Sequence, residues 1–252
     1  MKITVLGSSH GNPTVHGFQT SVLLEEEGAF YLVDAGDGAA TLLIRQNIDP
    51  SALSAIFISH FHLDHTASLP VLLHLGMKHR SWYPEITPEI FLPEYERHTL
   101  FQEYYSSLHH FTGQIPVHFR DMRRETFEDE RIKVRFIPTA HVAPGPSGEA
   151  RSFAIWVQTR EKKILFTGDL KGDFSDFPLE EAAKSDILFC ELTHYPPEKA
   201  LEKFRSLPLE KLVFYHLHDP YQTPEGKEKV LQMCREFPFE VCLSFDSFSL
   251  SV

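Results

Sequence analysis

Four side chains able to bind a metal fall within six residues: His60, His62, Asp64 and His65. The apolar run Ala55 to Ile58 precedes them, short, bulky and rich in isoleucine, which predicts a buried strand. Leu69, Leu72, Leu73 and Gly76 follow at helical spacing. The cluster therefore falls in a strand-to-helix turn, at the carboxyl end of a strand, where open α/β sheets carry their ligand sites. Two apart along an extended chain, His60 and His62 point the same way and can grip one ion. Asp64 and His65 come after the chain has begun to turn and can aim at a second position. Imidazole nitrogen and carboxylate oxygen are ligands for zinc and its first-row neighbours. A solvated histidine-rich loop would account for the composition but not for the buried strand that delivers it.

The run His60-Phe61-His62-Leu63-Asp64-His65 resembles the His-x-His-x-Asp-His signature of metallo-β-lactamase-fold hydrolases. The resemblance implies an α/β fold, an αββα four-layer sandwich of two mixed sheets flanked by helices, and three further ligands in a set order. The predicted strand Lys133–Ile137 runs into Pro138-Thr139-Ala140-His141, which makes His141 the third ligand of a first ion. Thr167-Gly168-Asp169, after the strand from Ile164, is similar to the family's bridging carboxylate. An anionic oxygen between two dications holds them about 3.5–4 Å apart and offsets their repulsion. The strand Lys211–Tyr215 ends in His216-Leu217-His218-Asp219. His216 is the better candidate for the last ligand, with His218 as the alternative or as a substrate-side residue. The implied sets are His60, His62 and His141 on one ion, Asp64, His65 and His216 on the other, and Asp169 shared. The cofactor is then two divalent metal ions, zinc first, with manganese or iron(II) also suited to these donors. Such a pair lowers the pKa of a bridging water towards neutrality, so that hydroxide attacks an ester-like centre. Asp64 counts in this reading as a catalytic residue as well as a ligand.

The opening loop, Gly7-Ser8-Ser9-His10-Gly11-Asn12-Pro13-Thr14, is similar to that of ribonuclease Z and related phosphodiesterases. In that branch the later Asp34-Ala35-Gly36-Asp37-Gly38 turn packs beneath the metals, so Asp34 is expected to orient ligands through hydrogen bonds. His10, with His16 and His218, is a candidate substrate contact. Glu191-Leu192-Thr193 matches a Glu-x-Thr motif of several branches. In ribonuclease Z a histidine precedes that glutamate and the pair assists proton transfer, whereas Cys190 stands there in this chain. Glu191 is expected to hold His216 or a nearby ligand, and His194 is a candidate proton donor. The reaction implied is hydrolysis of a small-molecule or short phosphodiester. Structured tRNA is argued against, because only the 27 residues 142–168 separate His141 from Asp169, where tRNA-processing enzymes carry a long RNA-gripping arm. Two other readings stay open: a carboxylic-ester, lactone or thioester hydrolase with the aromatic stretch 82–111 as an apolar wall, and a non-catalytic metal sensor.

The elements that must carry these residues read as one domain over 1–252, without linkers or repeats. Strands are expected at 2–6, 21–25, 29–34, 152–158, 164–169 and 185–189, with closing segments in 241–252. Helices are expected over 39–46, from Pro93-Glu94 to about His109, over 196–207, and from the Thr223 cap to about Arg235. Residues 77–124 are the least legible. Tyr95, Leu100, Phe101, Tyr104, Tyr105 and Leu108 form a stripe there that reads as packing or subunit contact. A net charge of −11 argues against unaided binding of bulk nucleic acid or an anionic membrane, because phosphate contact needs clustered cations. Cys190, Cys234 and Cys242 form no CxxC pair, and no secretory leader is read at Met1, which suggests reduced thiols and a cytoplasmic protein. No apolar run approaches the about 18 residues of a membrane span. A homodimer follows from the resemblance alone.

Overall fold

The computed structural model describes residues 1–108 and 116–252. Three of the aromatic and histidine positions read from the sequence, His109, His110 and Phe111, lie outside the described residues.

The first strands are β1 (Lys2–Gly7), β2 (Ser21–Glu26) and β3 (Ala29–Val33). Side chains alternate along each. Ile3, Val5, Val22, Leu24, Tyr31 and Val33 enter one core, while Leu6, Leu23 and Leu32 enter another on the opposite face. Helix α1 (Ala39–Arg45) and strand β4 (Leu53–Phe57) follow, then α2 (Leu63–Thr66) and α3 (Leu69–His79). Next come β5 (Glu89–Leu92), α4 (His98–Ser106), β6 (His118–Asp121), β7 (Phe127–Glu128), β8 (Lys133–Thr139), β9 (Ser152–Gln158) and β10 (Lys163–Phe166). The chain finishes with α5 (Leu179–Ala182), β11 (Ile187–Leu192), α6 (Leu201–Arg205), β12 (Lys211–Leu217), α7 (Pro224–Met233), β13 (Glu240–Leu243) and β14 (Phe248–Ser251).

Two mixed seven-stranded sheets result, ordered β14-β1-β2-β3-β4-β5-β6 and β13-β12-β11-β10-β9-β8-β7. Each is antiparallel on one side and parallel on the other: β3 to β6 in the first, β10 to β13 in the second. The last strand, β14, returns to pair with β1, and the Met1 amine donates to the Val252 carbonyl at 2.7 Å. One core lies between the sheets, and helices cover the outer face of each, giving the four layers. Parallel strands covered on both faces are mostly apolar; in Ile187–Leu192 every residue is buried and Glu191 is the one charged side chain.

Several elements differ from the sequence reading. Strands β5 and β6 were not legible, since each has four residues and the first is bracketed by Pro88 and Pro93. The helix expected from Pro93-Glu94 begins instead as a 3₁₀ turn at Tyr95–Arg97. Its stripe divides: Phe101 and Tyr105 are buried, whereas Leu100 and Tyr104 are about half exposed. The helix expected over 196–207 splits into a 3₁₀ turn, Pro197–Lys199, and α6. Thr223 caps α7 as expected, its hydroxyl accepting from Gly226 N at 3.1 Å. Cys190 and Cys234 are buried and all three thiols are free. Among the described residues no helix is long and apolar enough to cross a membrane.

Phe57 is central to the inter-sheet core, with ring centroids 5.6 Å from Phe91, 5.5 Å from Phe127 and 5.9 Å from Phe136. Its truncation leaves a cavity bounded by both sheets. Phe57→Ala should lower unfolding free energy by about 3–5 kcal/mol in a denaturant titration, and a loss below about 1 kcal/mol would contradict this packing.

Candidate metal centre

The donors arrive from strand ends of both sheets. His60 and His62 follow β4, and Asp64 and His65 lie in the single turn of α2. His141 follows β8, Asp169 follows β10, and His216 lies near the end of β12. Three backbone positions at these ends are left-handed: Asp34 (φ 59°), Gly168 (φ 57°) and His216 (φ 47°). Such strain in non-glycine residues gathers where surrounding structure forces a side chain into a working direction. At Gly168 a Cβ would also stand 2.8 Å from the Phe153 carbonyl, so only glycine lets the chain turn Asp169 into the site.

The seven side chains form two sets that share Asp169. In the first, Asp169 Oδ2 stands 3.4 Å from His60 Nε2 and 3.6 Å from His141 Nε2, and His141 Nε2 is 3.2 Å from His62 Nδ1. In the second, Asp169 Oδ1 stands 3.3 Å from His65 Nε2 and 3.5 Å from His216 Nε2. Asp64 Oδ2 is 3.4 Å from His65 Nε2 and 3.8 Å from His216 Nε2. Ligands about 2.0–2.2 Å from one ion stand about 3.3–3.6 Å apart at the corners of a tetrahedron, so the spacing fits coordination. The buried Nε2 atoms of His60, His65 and His216, and Asp169 Oδ1, have no hydrogen-bond partner. Four orphaned atoms converging on one space are costly unless a cation completes them.

Proton bookkeeping agrees. Ser59 Oγ donates to Asp34 Oδ2 at 2.9 Å, so it accepts from His60 Nδ1 at 3.1 Å. His65 Nδ1 donates to Asp34 Oδ2 at 2.8 Å. Thr20 Oγ1 donates to the Ser9 carbonyl, so it accepts from His216 Nδ1 at 2.5 Å. His141 Nδ1 donates to the Leu170 carbonyl at 3.2 Å. Each of these four rings thus spends its Nδ1 proton outward and turns Nε2 inward. Asp34 also accepts from Ser59 N at 2.7 Å, which ties it to both sets. Tyr215 OH accepts from Gly168 N at 3.1 Å and steadies the turn before Asp169. Of these supports only Asp34 was legible. Ser59 could have been suspected beside His60, whereas nothing local marks Thr20 or Tyr215.

Charge follows the same plan. Burial, then the neighbouring imidazole of His65, keeps His60 well below the usual histidine range, and burial lowers His216 too. Burial and His141 lower His62. Burial opposes charge on His65, but Asp169 and Asp34 outweigh it and raise that ring well above the ordinary value. Asp169 is fully buried yet held well below the carboxylate range by His216, His65 and His60. Asp64 is lowered despite burial, chiefly by the His65 ring 3.4 Å away. Binding of a cation at donors of this kind competes with protons for the same nitrogens and oxygens.

Glu191 is fully buried and accepts from Leu170 N (2.8 Å), Thr193 N (2.9 Å) and His194 N (3.0 Å). Its carboxylate meets His194 Nδ1 at 3.0 Å, so it holds His194, while His216 is held by Thr20. Glu191 was expected to hold His216 or a nearby ligand; it makes no hydrogen bond to His216 and instead holds His194 and the Leu170 amide next to Asp169. The His194 ring is 4.5 Å from His141 and 5.7 Å from His216. Burial alone would lower its pKa, but Glu191 and Asp169 push it up to about 9. His10 stacks on His218, centroids 5.3 Å apart, and its Nε2 lies 3.0 Å from Asp219 Oδ1. His16 is exposed on the same loop. A cavity of about 750 Å³ lies beside Tyr95, His98, Phe119 and Arg120 and is lined by none of the seven donors.

Residues 1–237 match the family model described as "Anti-Pycsar protein Apyc1". The chain belongs to the anti-Pycsar protein Apyc1 family. It is also similar to ribonuclease Z of Methanosarcina acetivorans, 30% identical over 146 residues, which cover 57% of this chain and 46% of that enzyme. The chain thus spans less than half the length of that curated relative. Among solved structures, the metallo-β-lactamase fold protein YhfI from Bacillus subtilis superposes with a TM-score of 0.74 at 18% identity, over 99% of this chain and 98% of that one. A diphosphatase from the PhnP family superposes with a TM-score of 0.72 at 19% identity, over 100% of this chain and 97% of that one. The Apyc1-family chain therefore has the metallo-β-lactamase fold, and its clustered histidines and aspartates can bind metal.

Asp34 tests the support beneath the centre. Asp34→Ala removes the acceptor shared by Ser59 and His65. Divalent-ion affinity should fall about 10–100-fold in a competitive chelator titration, and unchanged affinity would show that Asp34 does not orient these rings.

Proposed function

We propose that this chain is a dinuclear metal-dependent phosphodiesterase of small-molecule or short substrates. His60, His62 and His141 would hold one divalent ion, Asp64, His65 and His216 the other, and Asp169 would be shared. The observation that carries this reading is the division of Asp169, whose Oδ2 faces one donor set and whose Oδ1 faces the other. Zinc suits the imidazole-rich donors best, and manganese or iron(II) also fit them. Ions so held supply Lewis acidity and activate water near neutral pH.

The chain's own residues do the remaining work. Asp34, Ser59 and Thr20 keep the imidazoles in the tautomer that turns Nε2 inward. Glu191 accepts the His194 Nδ1 proton and fixes that ring beside His141. The Glu191 carboxylate favours the protonated form of His194, whose Nε2 would pass a proton to the departing oxygen. Glu191 is then a positioning residue, and His194 the proton donor.

Sequence similarity to ribonuclease Z and fold similarity to a diphosphatase favour phosphate esters. The aromatic groove beside Tyr95 and Phe119 is separate from the donors, which weakens the lactone or thioester reading. The net charge of −11 and the short link from His141 through β9 and β10 to Asp169 favour a small substrate over structured tRNA. The return of β14 to β1 supports one domain over 1–252. Three free thiols suit a reducing, cytoplasmic setting. Half-exposed Leu100 and Tyr104 on α4 offer apolar surface for a homodimer.

Metal-loaded protein should hydrolyse bis(p-nitrophenyl) phosphate, and Asp64→Ala or chelation should abolish turnover. His194→Ala should lower kcat about 10²–10⁴-fold on an alkyl phosphodiester, and less on the p-nitrophenyl ester, whose leaving group departs without a proton. Robust lactone or thioester cleavage with no phosphodiesterase activity would refute this reading.

A further inference from the structure

His10 lies beside the metal centre, where a substrate contact was expected, yet both ring nitrogens are already engaged. Nε2 stands 3.0 Å from Asp219 Oδ1, and Nδ1 receives the Asn12 N–H at 3.3 Å. Only the neutral ring with its proton on Nε2 satisfies both partners. The residue is 6% exposed and its face is covered by His218. Asp219 belongs to the turn after β12, the strand that carries His216, and His10 belongs to the loop after β1. The pair therefore ties a loop of one sheet to a loop of the other. Leu217 N donating to the Ser8 carbonyl at 2.7 Å, and Gln222 Nε2 donating to Ser9 Oγ at 3.0 Å, follow the same seam.

The next residue, Gly11, faces the Asp64 carboxylate. A Cβ at Gly11 would stand 3.3 Å from Asp64 Oδ2, 3.6 Å from Cγ and 3.7 Å from Oδ1. The Gly11 carbonyl is held by Gln19 Nε2 at 2.9 Å. Gly11 thus lies beside Asp64 with tight room for even one added carbon between them, and the hydrogen bonds of His10 fix this loop from one side.

We propose that His10 and Asp219 are a positioning pair for the second donor set: their hydrogen bond holds Gly11 against Asp64 and so sets the affinity of the ion bound by Asp64, His65, His216 and Asp169. The inference rests on the dinuclear reading above. His10 would act through Gly11 and Asp64, as a positioning residue.

The test is metal content against a competing chelator for wild-type protein, His10→Ala, Asp219→Ala, Asp219→Asn and Gly11→Ala, with thermal melts alongside. Wild type should hold two ions per chain. In His10→Ala and Asp219→Ala one ion should leave at about 10–100-fold lower chelator, with the other at the wild-type midpoint. Asp219→Asn keeps an oxygen that accepts the Nε2 proton and should retain both midpoints. Gly11→Ala keeps the pair but presses on Asp64 directly, and should move the same single midpoint even where other variants fail to fold. Wild-type midpoints in His10→Ala and Asp219→Ala, or in Gly11→Ala, would overturn the pair's role, as would both midpoints moving together. A wild-type chain that holds fewer than two ions would overturn the dinuclear reading and this inference with it.

Discussion

The structure depends on one buried carboxylate. Asp169 is 2% exposed and surrounded by the Nε2 atoms of His60, His65, His141 and His216. An ionised carboxylate in such a place costs several kcal/mol in lost hydration unless positive charge meets it. Within the protein that charge comes from His65, and more comes from any cation the two donor sets take up. Much of the surrounding architecture serves this arrangement. Gly168 and Tyr215 turn Asp169 inward, Thr20 and Asp34 set the rings, and the left-handed backbone at Asp34 and His216 aims their side chains.

The two-sheet layout explains how donors so far apart in sequence meet. Parallel strands bring their carboxyl ends to one edge, and both sheets carry parallel strands on one side. The first sheet delivers His60, His62, Asp64 and His65 from one connection, and the second delivers His141, Asp169 and His216 from three. The Ser8–Leu217 and His10–Asp219 contacts then close the seam between them. A centre built across such a seam needs its loops held in register, because a displacement of about 1 Å takes a donor out of coordinating range.

Much of this was legible from sequence because the informative signals are local. Four donors after the apolar run Ala55–Ile58 specify a strand end with ligands, and Asp169 and His141 follow apolar strands in the same manner. Alternation and capping marked β1 to β3, β9 and α7. What was not legible depends on distant contacts. Glu89–Leu92 and His118–Asp121 are too short to show a period and become strands only by pairing with each other and with β4. Which neighbour Glu191 would hold stayed open, because the local sequence does not show that its carboxylate meets His194 and the Leu170 amide. Thr20 and Tyr215 sit in ordinary strand surroundings and acquire their roles from the other sheet. His10 was a candidate substrate contact because its loop was expected to face the site, and its bond to Asp219, 209 positions away, was not legible locally.

The central claim is that Asp169 lies between two cations. Anomalous diffraction at the absorption edge of the added divalent metal tests it most directly. Two peaks about 3.5–4 Å apart, one beside His60, His62 and His141 and the other beside Asp64, His65 and His216, with Asp169 between them, is the predicted result. A single peak, or peaks that leave Asp169 unliganded at saturating metal, would contradict it.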